Sequence, residues 1–122
     1  MTASLGGDPR APEAGALVWV DFDGARGTEK AGVRPALVVS ATTLNQVSRR
    51  SMVCPITSNV TPFPTKVLLP DGLPVHGAVL VDQIRTLDRA TRGFRLVGHV
   101  PRETLEAVRG LIAEFLSDDI PE

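Results

Sequence analysis

An arginine precedes one short apolar run and a threonine follows the next. Side chains at these positions are suited to holding a phosphate. Arg34 precedes Pro35 and the apolar run 36–39, and proline favours an extended backbone that projects the arginine just before the chain enters the core. Thr57 ends the apolar run 52–56. A guanidinium stays charged and offers paired donors to phosphate oxygens, and a threonine hydroxyl adds one more. From these residues alone, a grip on a phosphoryl group competes with plainer alternatives, a surface salt bridge for Arg34 and a local backbone cap for Thr57.

Proton transfer beside such a phosphate would need an acid or a base. Glu29 is the candidate general base because a carboxylate accepts a proton, whereas arginine gives one up very reluctantly. Its alternative role is that of a solvated loop residue or an ion-pair partner of Arg34. Histidine would be the expected acid or base near neutral pH, but His76 and His99 are isolated and flanked by Gly or Val, so we interpret each as a turn or sheet residue.

Polar side chains also interrupt or follow the later apolar runs. Asp82 interrupts the run 78–84, where a charge must be hydrogen-bonded for structure or face a binding groove. Gln83 and Arg85 follow on the same predicted strand and would reach a ligand from that groove. Ser58, next to the candidate threonine, is predicted to contact the same ligand. No set of Cys, His, Asp and Glu has the spacing of metal ligands, so the sequence predicts neither a metal site nor a cofactor.

The net charge of −1 conceals a basic middle segment. Residues 24–100 carry ten Lys or Arg against four Asp or Glu, whereas residues 1–23 and 101–122 carry net charges of −3 and −4. A local basic patch attracts phosphates even when the whole chain is acidic, although single charges of this kind are often ordinary solvated residues. The residues available for such a patch are Arg26, Lys30, Arg34, Arg49, Arg50, Lys66 and Arg85.

Three aromatic residues offer flat surfaces on which unpaired bases stack. Trp19 lies in a predicted core strand, so burial is its expected state, and Phe22 ends the same run. Phe63 lies between Pro62 and Pro64 in a loop, which makes it the better candidate for stacking or for a contact between subunits.

Short apolar runs separated by turn residues predict a mostly β domain with one helix, an α+β chain. The predicted strands lie within 16–22, 36–39, 52–56, 66–69, 78–84 and 94–100. After residue 100 the apolar residues follow helical spacing, which predicts a terminal amphipathic helix whose stripe packs on the sheet. That stripe consists of Leu105, Val108, Leu111, Ile112, Phe115 and Leu116. Six short strands favour a small, strongly bent barrel, because closure removes open edges.

The ends of the chain differ in composition from its middle. Residues 1–14 contain glycine and proline but no cationic start or apolar core of a signal peptide, and we predict a flexible, dispensable tail there. Residues 118–122 form a short acidic tail. No apolar stretch is long enough to span a membrane. The single cysteine, Cys54, lies in a predicted core strand and cannot form an internal disulfide, which favours a cytoplasmic location.

Four motifs together resemble the MazF/PemK family of toxin endoribonucleases. They are EKAGVRP at 29–35, PITS at 55–58, VDFD at 20–23 and DQIR at 82–85, and the resemblance extends over about residues 15–116, giving a predicted toxin domain at 15–117. It implies an SH3-like β-barrel of about six strands with a C-terminal helix, working as a homodimer. It also implies a metal-independent, sequence-specific endoribonuclease that cuts single-stranded RNA and leaves 2′,3′-cyclic phosphate and 5′-hydroxyl ends.

The resemblance further assigns roles to residues and a partner. Arg34 and Thr57 match the family's catalytic arginine and threonine, with Glu29 as the candidate base on chemical grounds. A cognate antitoxin with an acidic, disordered tail is implied as the partner that fills the RNA groove. Some members carry an arginine two residues before the aspartate that matches Asp82, but here that position is Leu80, so no arginine–aspartate pair is available there.

Two other functions fit the same fold. One is a non-catalytic toxin like the CcdB gyrase poisons, whose chains end in a tryptophan-containing tail that residues 118–122 lack. The other is a plain RNA-binding module, in which the basic loops hold RNA without cutting it. Fold does not decide between these functions, and an activity assay separates them.

Overall fold

The computed structural model describes residues 10–23, 32–117 and 121, which form one antiparallel sheet and three helices. The strands are β1 (Ala16–Asp21), β2 (Val33–Val38), β3 (Arg50–Thr57), β4 (Lys66–Leu68), β5 (Ala78–Leu80), β6 (Arg85–Asp88) and β7 (Arg95–His99). The helices are α1 (Thr42–Val47), α2 (Arg89–Arg92) and α3 (Arg102–Leu116), and a 3₁₀ turn covers Val81–Gln83.

The strand order is β4-β5-β3-β2-β1-β7, with β6 also paired to β3. The eight-residue β3 is the centre of the sheet, because β2 pairs along one side while β6 and β5 share the other. The predicted α+β class with a C-terminal helix is confirmed. In the part of the chain that the structure describes, the sheet has seven strands rather than about six and does not close into a barrel.

The extra strand, β6, begins directly after the run 78–84, which the sequence predicted as one continuous strand. The chain leaves the sheet at the 3₁₀ turn Val81–Gln83 and re-enters it as β6 on the other half of β3. The apolar pattern continued through this turn because Val81 is fully buried there. The prediction that Gln83 and Arg85 follow Asp82 along one strand is therefore wrong.

Both faces of the sheet are buried, which explains the apolar runs. On β1, Leu17 contributes to a core cluster that β3, β5 and α3 complete, whereas Val18 and Val20 point to a second cluster with Phe22 and Leu87. Alternate side chains of a strand face opposite sides, so a strand buried on both faces is apolar throughout. The sheet therefore has two core clusters, one on each face.

Helix α3 covers one face of the sheet largely as its stripe predicts. Val108 is fully buried, and Leu105, Leu111 and Ile112 pack against the first cluster. The guanidinium of Arg109 donates two hydrogen bonds, of 3.0 and 2.8 Å, to the Val39 carbonyl and so fixes the helix to the end of β2. The prediction was wrong for the last turn, where Phe115 and Leu116 are exposed.

A buried polar network holds α1 against β3. The Oδ1 atom of Asn45 accepts hydrogen bonds from the hydroxyls of Ser40 and Ser51, at 2.6 and 2.9 Å. Its Nδ2 atom donates to the carbonyls of Pro12 and Ser40. The Ala14 amide donates to the Thr42 hydroxyl, so residues 12–14 contact α1 rather than extending away from the domain.

None of the helices within the described ranges has the length and apolarity needed to cross a bilayer.

Helix α2 is a short connection capped at both ends. Asp88 accepts a hydrogen bond from the Ala90 amide at 2.9 Å, and Gly93 ends the helix in the left-handed region at φ 65°. Arg92 donates to the carbonyls of Asp21 and Phe22 and so ties α2 to the segment after β1.

Candidate active site

The register of β2 and β3 places the two principal candidates side by side. Ala36 pairs with Pro55, and the antiparallel register holds over three successive pairs. The same register continued by two residues brings Arg34 opposite Thr57. The arginine is exposed and the threonine half-buried, so both side chains are accessible at the edge of the core.

Both residues line one cavity of about 400 Å³, here called the Thr57 cavity. Its walls are Trp19, Arg34, Pro35, Ile56, Thr57, Ser58, Pro74, Val75 and His76. The structure thus brings together three residues that the sequence predicted as a group: Arg34, Thr57 and Ser58. Within the described residues the guanidinium of Arg34 has no hydrogen-bond partner or ion pair, so its donors are available to a ligand.

The hydroxyl of Thr57 combines both roles considered for it. Its oxygen accepts a hydrogen bond from the Asn59 amide at 3.1 Å, so the threonine is a local cap at the end of β3. A hydroxyl has one donor hydrogen as well as its acceptor lone pairs. The cap fixes the rotamer of Thr57 and leaves that hydrogen to point towards a ligand in the cavity.

A second, smaller cavity of about 180 Å³ adjoins the first, here called the Arg85 cavity. Its walls are Phe22, Asp23, Gly32, Arg34, Pro55, Gln83 and Arg85. Arg34 belongs to both cavities and forms their common wall. The guanidinium of Arg85 lies 5.5 Å from the centroid of the Phe22 ring, a cation–π contact that orients it. Gln83 and Arg85 therefore lie beside Arg34 although no single strand carries them there.

Several predicted residues lie away from these cavities or outside the described residues. Asp82 is exposed and lines neither cavity. Phe63 is 62% exposed and also lines neither. Phe22 is buried, with Arg85 over its ring, and offers no face for stacking. The candidate base and two candidate cations, Glu29, Arg26 and Lys30, lie outside the described residues.

Two members of the proposed basic patch are used within the fold. Lys66 donates from Nζ to the carbonyls of Asn59 and Thr61 and closes the loop between β3 and β4. Arg49 pairs with Asp88 at 2.9 Å, and the amide of Ala90 together with this arginine lowers the pKa of that aspartate. Among the described members of the patch, Arg34 and Arg85 are the two that line the same cavity.

The structure adds two residues that sequence reasoning set aside. Trp19 is half-buried and lines the Thr57 cavity, although a core position was expected. His76 lies in the bend before β5, as interpreted, but its exposed side chain lines the same cavity. One signal could have identified it: the following Gly77 marks a position where the backbone approaches another strand closely.

Another cavity, of about 490 Å³, lies elsewhere, between β1, β7 and α2. It contains Arg49 and Arg89, but both guanidinium groups already donate within the chain, to Asp88 and to Ser51 respectively. Their donors are thus less available than those of Arg34. The described residues contain no group of three or more His, Cys, Asp or Glu side chains placed to hold a metal ion.

Comparison with known proteins points to one family. The family model described as "PemK-like, MazF-like toxin of type II toxin-antitoxin system" matches residues 13–116. The chain is 35% identical over 101 residues to the endoribonuclease toxin MazF of Escherichia coli K12, covering 83% of this chain and 90% of that protein.

Solved structures give the same result. The crystal structure of MazF from Deinococcus radiodurans superposes with a TM-score of 0.78 at 39% identity, covering 88% of this chain and 98% of that one. A MazE-MazF structure from the same organism superposes at 0.76 with 38% identity, covering 89% and 98%.

Proposed function

Because this chain belongs to the family of PemK-like, MazF-like toxins of type II toxin–antitoxin systems, we propose that it is an endoribonuclease cutting single-stranded RNA at a short sequence. The reaction needs no metal and leaves 2′,3′-cyclic phosphate and 5′-hydroxyl ends. The observation that supports this most directly is the position of Arg34 and Thr57 on neighbouring strands at the wall of one cavity. Relatives of this chain are named endoribonucleases at 32–37% identity.

The chemistry follows from what RNA can do itself. A 2′-hydroxyl that loses its proton attacks the neighbouring phosphorus, so the protein has to hold the phosphate, stabilise the added negative charge and move two protons. Arg34 donates to the non-bridging oxygens of the pentacovalent phosphorane, where its fixed charge is complementary. The Thr57 hydroxyl donates to a neighbouring oxygen. Glu29 accepts the proton of the 2′-hydroxyl.

RNA beyond the scissile phosphate occupies the adjoining surfaces. Arg85 holds a flanking phosphate, and Gln83 beside it in the Arg85 cavity hydrogen bonds to a base. Ser58 contacts RNA in the Thr57 cavity. Arg26, Lys30, Asp82 and Phe63 contact further parts of the RNA, and the exposed ring of Phe63 is available for stacking.

A cognate antitoxin inhibits the enzyme. An acidic, disordered segment of the antitoxin binds the groove where RNA binds, and the net charge of +6 over residues 24–100 favours that contact. Relatives have been solved as MazE-MazF structures and as an endoribonuclease in complex with its cognate antitoxin. The chain acts as a homodimer in the cytoplasm.

The test is incubation of the purified, antitoxin-free chain with a long unstructured RNA in EDTA, followed by mapping of the fragment ends. We expect discrete cuts with cyclic-phosphate ends. Arg34→Ala should slow cleavage by about 10²–10³-fold, because removal of one preorganised donor from a charged transition state has effects of this size.

Arg102→Ala is the matched control, since Arg102 is also an exposed arginine but lies on α3, paired with Glu106. Its cleavage rate should equal that of the unmodified chain. If folded wild-type protein binds this RNA and leaves it intact, the chain is a binding module. If it neither binds nor cuts RNA but blocks DNA gyrase, it belongs with the non-catalytic toxins.

A further inference from the structure

The Thr57 cavity contains one titratable side chain besides those proposed to hold the phosphate or accept the 2′-hydroxyl proton. His76 lines this cavity together with Arg34, Thr57 and Ser58. It precedes β5, and β5 pairs with β3 so that Ala78 lies opposite Thr57. The histidine is thus on the β5 side of Thr57, while Arg34 is on the β2 side.

The segment that carries His76 is fixed at three points. Pro74 packs so closely on β7 that a Cβ added to Gly98 would lie 2.7 Å from its ring. Val75 is 5% exposed and belongs to the first core cluster. The Gly77 carbonyl accepts a hydrogen bond of 2.9 Å from the Leu69 amide. An imidazole on such a segment has a defined position, as a group that acts on a substrate requires.

Gly77 sets how close the histidine comes to the threonine. It has φ of 136°, and a Cβ built on it would lie 2.1 Å from the Thr57 carbonyl oxygen. Only glycine accepts both this backbone conformation and this contact. The backbone of residue 77 therefore lies directly against that of Thr57, and His76 enters the cavity one residue before this contact.

The described walls of the cavity otherwise lack a group that exchanges protons near neutral pH. Arginine holds its proton too tightly, and the serine and threonine hydroxyls are too weakly acidic. Departure of the 5′-oxygen needs a proton, or else an alkoxide must leave. Imidazole is the side chain that ordinarily titrates between pH 5 and 8, which suits it to this transfer.

We propose that His76 is the general acid of the cleavage reaction, an inference that rests on the endoribonuclease function proposed above. The 2′-hydroxyl gives its proton to the base, and its oxygen forms a bond to phosphorus. The bond from phosphorus to the 5′-oxygen breaks, and that oxygen takes a proton from the imidazolium of His76. The products are the 2′,3′-cyclic phosphate and the 5′-hydroxyl, and the neutral imidazole regains a proton from water.

The position on the β5 side suits an in-line displacement. In such a reaction the attacking and leaving oxygens lie on opposite sides of phosphorus. Arg34 on β2 and Thr57 on β3 hold the phosphate between them, so a leaving group directed towards β5 meets His76. The attacking 2′-oxygen and the base that takes its proton then lie on the opposite side of phosphorus from His76.

The experiment compares two versions of one oligonucleotide that spans a mapped cleavage site. One has the natural linkage, and the other has sulfur in place of the 5′-bridging oxygen. A thiolate leaves without protonation, so the sulfur substrate does not need the acid. We expect His76→Gln to cleave the natural linkage about 10²–10⁴-fold more slowly than wild type and the sulfur linkage within a few-fold of wild type.

The pH profile is a second readout. The rate of the wild-type chain should fall on the alkaline side as the imidazolium is lost, and His76→Gln should lack this fall. Arg34 from β2 is the charged group that faces His76, since the other described walls from β1, β3 and the segment before β5 are neutral. The charge of Arg34 is constant over this pH range, so this residue adds no further change to the pH profile of the rate.

His99→Gln is the matched control. His99 is the other histidine, lies at the end of β7 with Nε2 3.3 Å from a Glu13 carboxylate oxygen, and does not line the Thr57 cavity. It should cut both substrates at wild-type rates. A His76→Gln variant that is equally slow on both substrates, or as fast as wild type on the natural one, overturns the proposal. If the folded wild-type chain leaves long RNA intact, so that no cleavage site can be mapped, the endoribonuclease function itself is overturned instead.

Discussion

The polar side chains at the two ends of β3 differ in burial and in hydrogen bonding. At its start, the Ser51 hydroxyl is buried and donates to Asn45 while accepting from Arg89. At its end, Thr57 is half-buried and uses only its acceptor capacity within the described chain, and Ser58 beyond it is exposed. Polar groups that hold the fold are paired internally, whereas those proposed to act on a substrate keep donors for it.

The largest effect should come from a substitution that removes the buried polar network at the start of β3. Asn45→Ala removes the acceptor of two serine hydroxyls and the donor to two carbonyls, so we expect a loss of about 3 kcal/mol in the free energy of unfolding. Urea denaturation measures it. Asn59→Ala, in the exposed loop after β3, should lose less than about 1 kcal/mol. Equal losses in the two variants would mean that the network contributes no special stability.

A substitution of Thr57, at the end of β3, should lower the cleavage rate rather than the stability of the fold. Thr57→Val keeps the shape of the side chain but loses the hydroxyl, so we expect cleavage to slow by about 10–10²-fold, or about 1.4–2.7 kcal/mol. Single-turnover rates measure this, and Thr57→Ser should recover most of the activity. If Thr57→Ser is as slow as Thr57→Val, then a hydroxyl is not what the site requires.

Cys54 lies in the middle of β3, between these two ends, and its thiol is buried. Burial, with a smaller contribution from Asp82, raises the pKa of its thiol to about 12 from an ordinary value of 9.0. The thiol stays protonated in the folded chain but ionises in the unfolded chain above pH 9. Stability should therefore fall by about 1 kcal/mol between pH 9 and pH 10.

Denaturation of wild type and Cys54→Ala at both pH values isolates this contribution. The alanine variant should lose about 1 kcal/mol less over the same interval, because it has no thiol to ionise. Parallel losses in the two proteins would show that the buried thiol titrates normally.

The smallest effect should come from a substitution of Asp88. This residue lies opposite Arg50 in the register of β6 and β3. The Ala90 amide and Arg49 lower its pKa below the ordinary 3.8. The stability that this carboxylate contributes is present above that value and is lost as the pH falls through the lowered pKa. Between pH 5 and pH 3, the melting temperature of wild type should fall slightly more than that of Asp88→Asn, which keeps the cap but has no charge. An identical fall in both would exclude a contribution from the carboxylate.

Much of the fold was predictable because apolar runs mark buried strands directly. Five of the predicted runs correspond to β1, β2, β3, β4 and β7, and the helical stripe corresponds to α3. Helix α1 was missed because its six residues include two threonines and a valine, and it is stabilised by the tertiary contacts of Asn45 instead of by an apolar stripe. Helix α2 has four residues and buries none, so it leaves no periodic signal.

The candidate site was predictable where it follows from strand ends. Arg34 and Thr57 lie on neighbouring strands, so their apolar runs and the family motifs were sufficient to place them together. The positions of Trp19 and His76 at the cavity depend on contacts between distant parts of the chain, for which the sequence offers only the indirect signal of Gly77 after the histidine. Arg85 reaches the site only because the chain turns at Val81–Gln83 and changes its position on β3.

The shared wall between the two cavities limits what a single substitution can reveal. Arg34 lines the Thr57 cavity and the Arg85 cavity at once, so under the proposed function we expect its loss to weaken substrate binding and slow cleavage together. Gln83 and Thr57 each face only one of them. Sequence preference and catalytic rate are therefore separable properties at these two positions and inseparable at the arginine, so a redesign of target choice should start from Gln83.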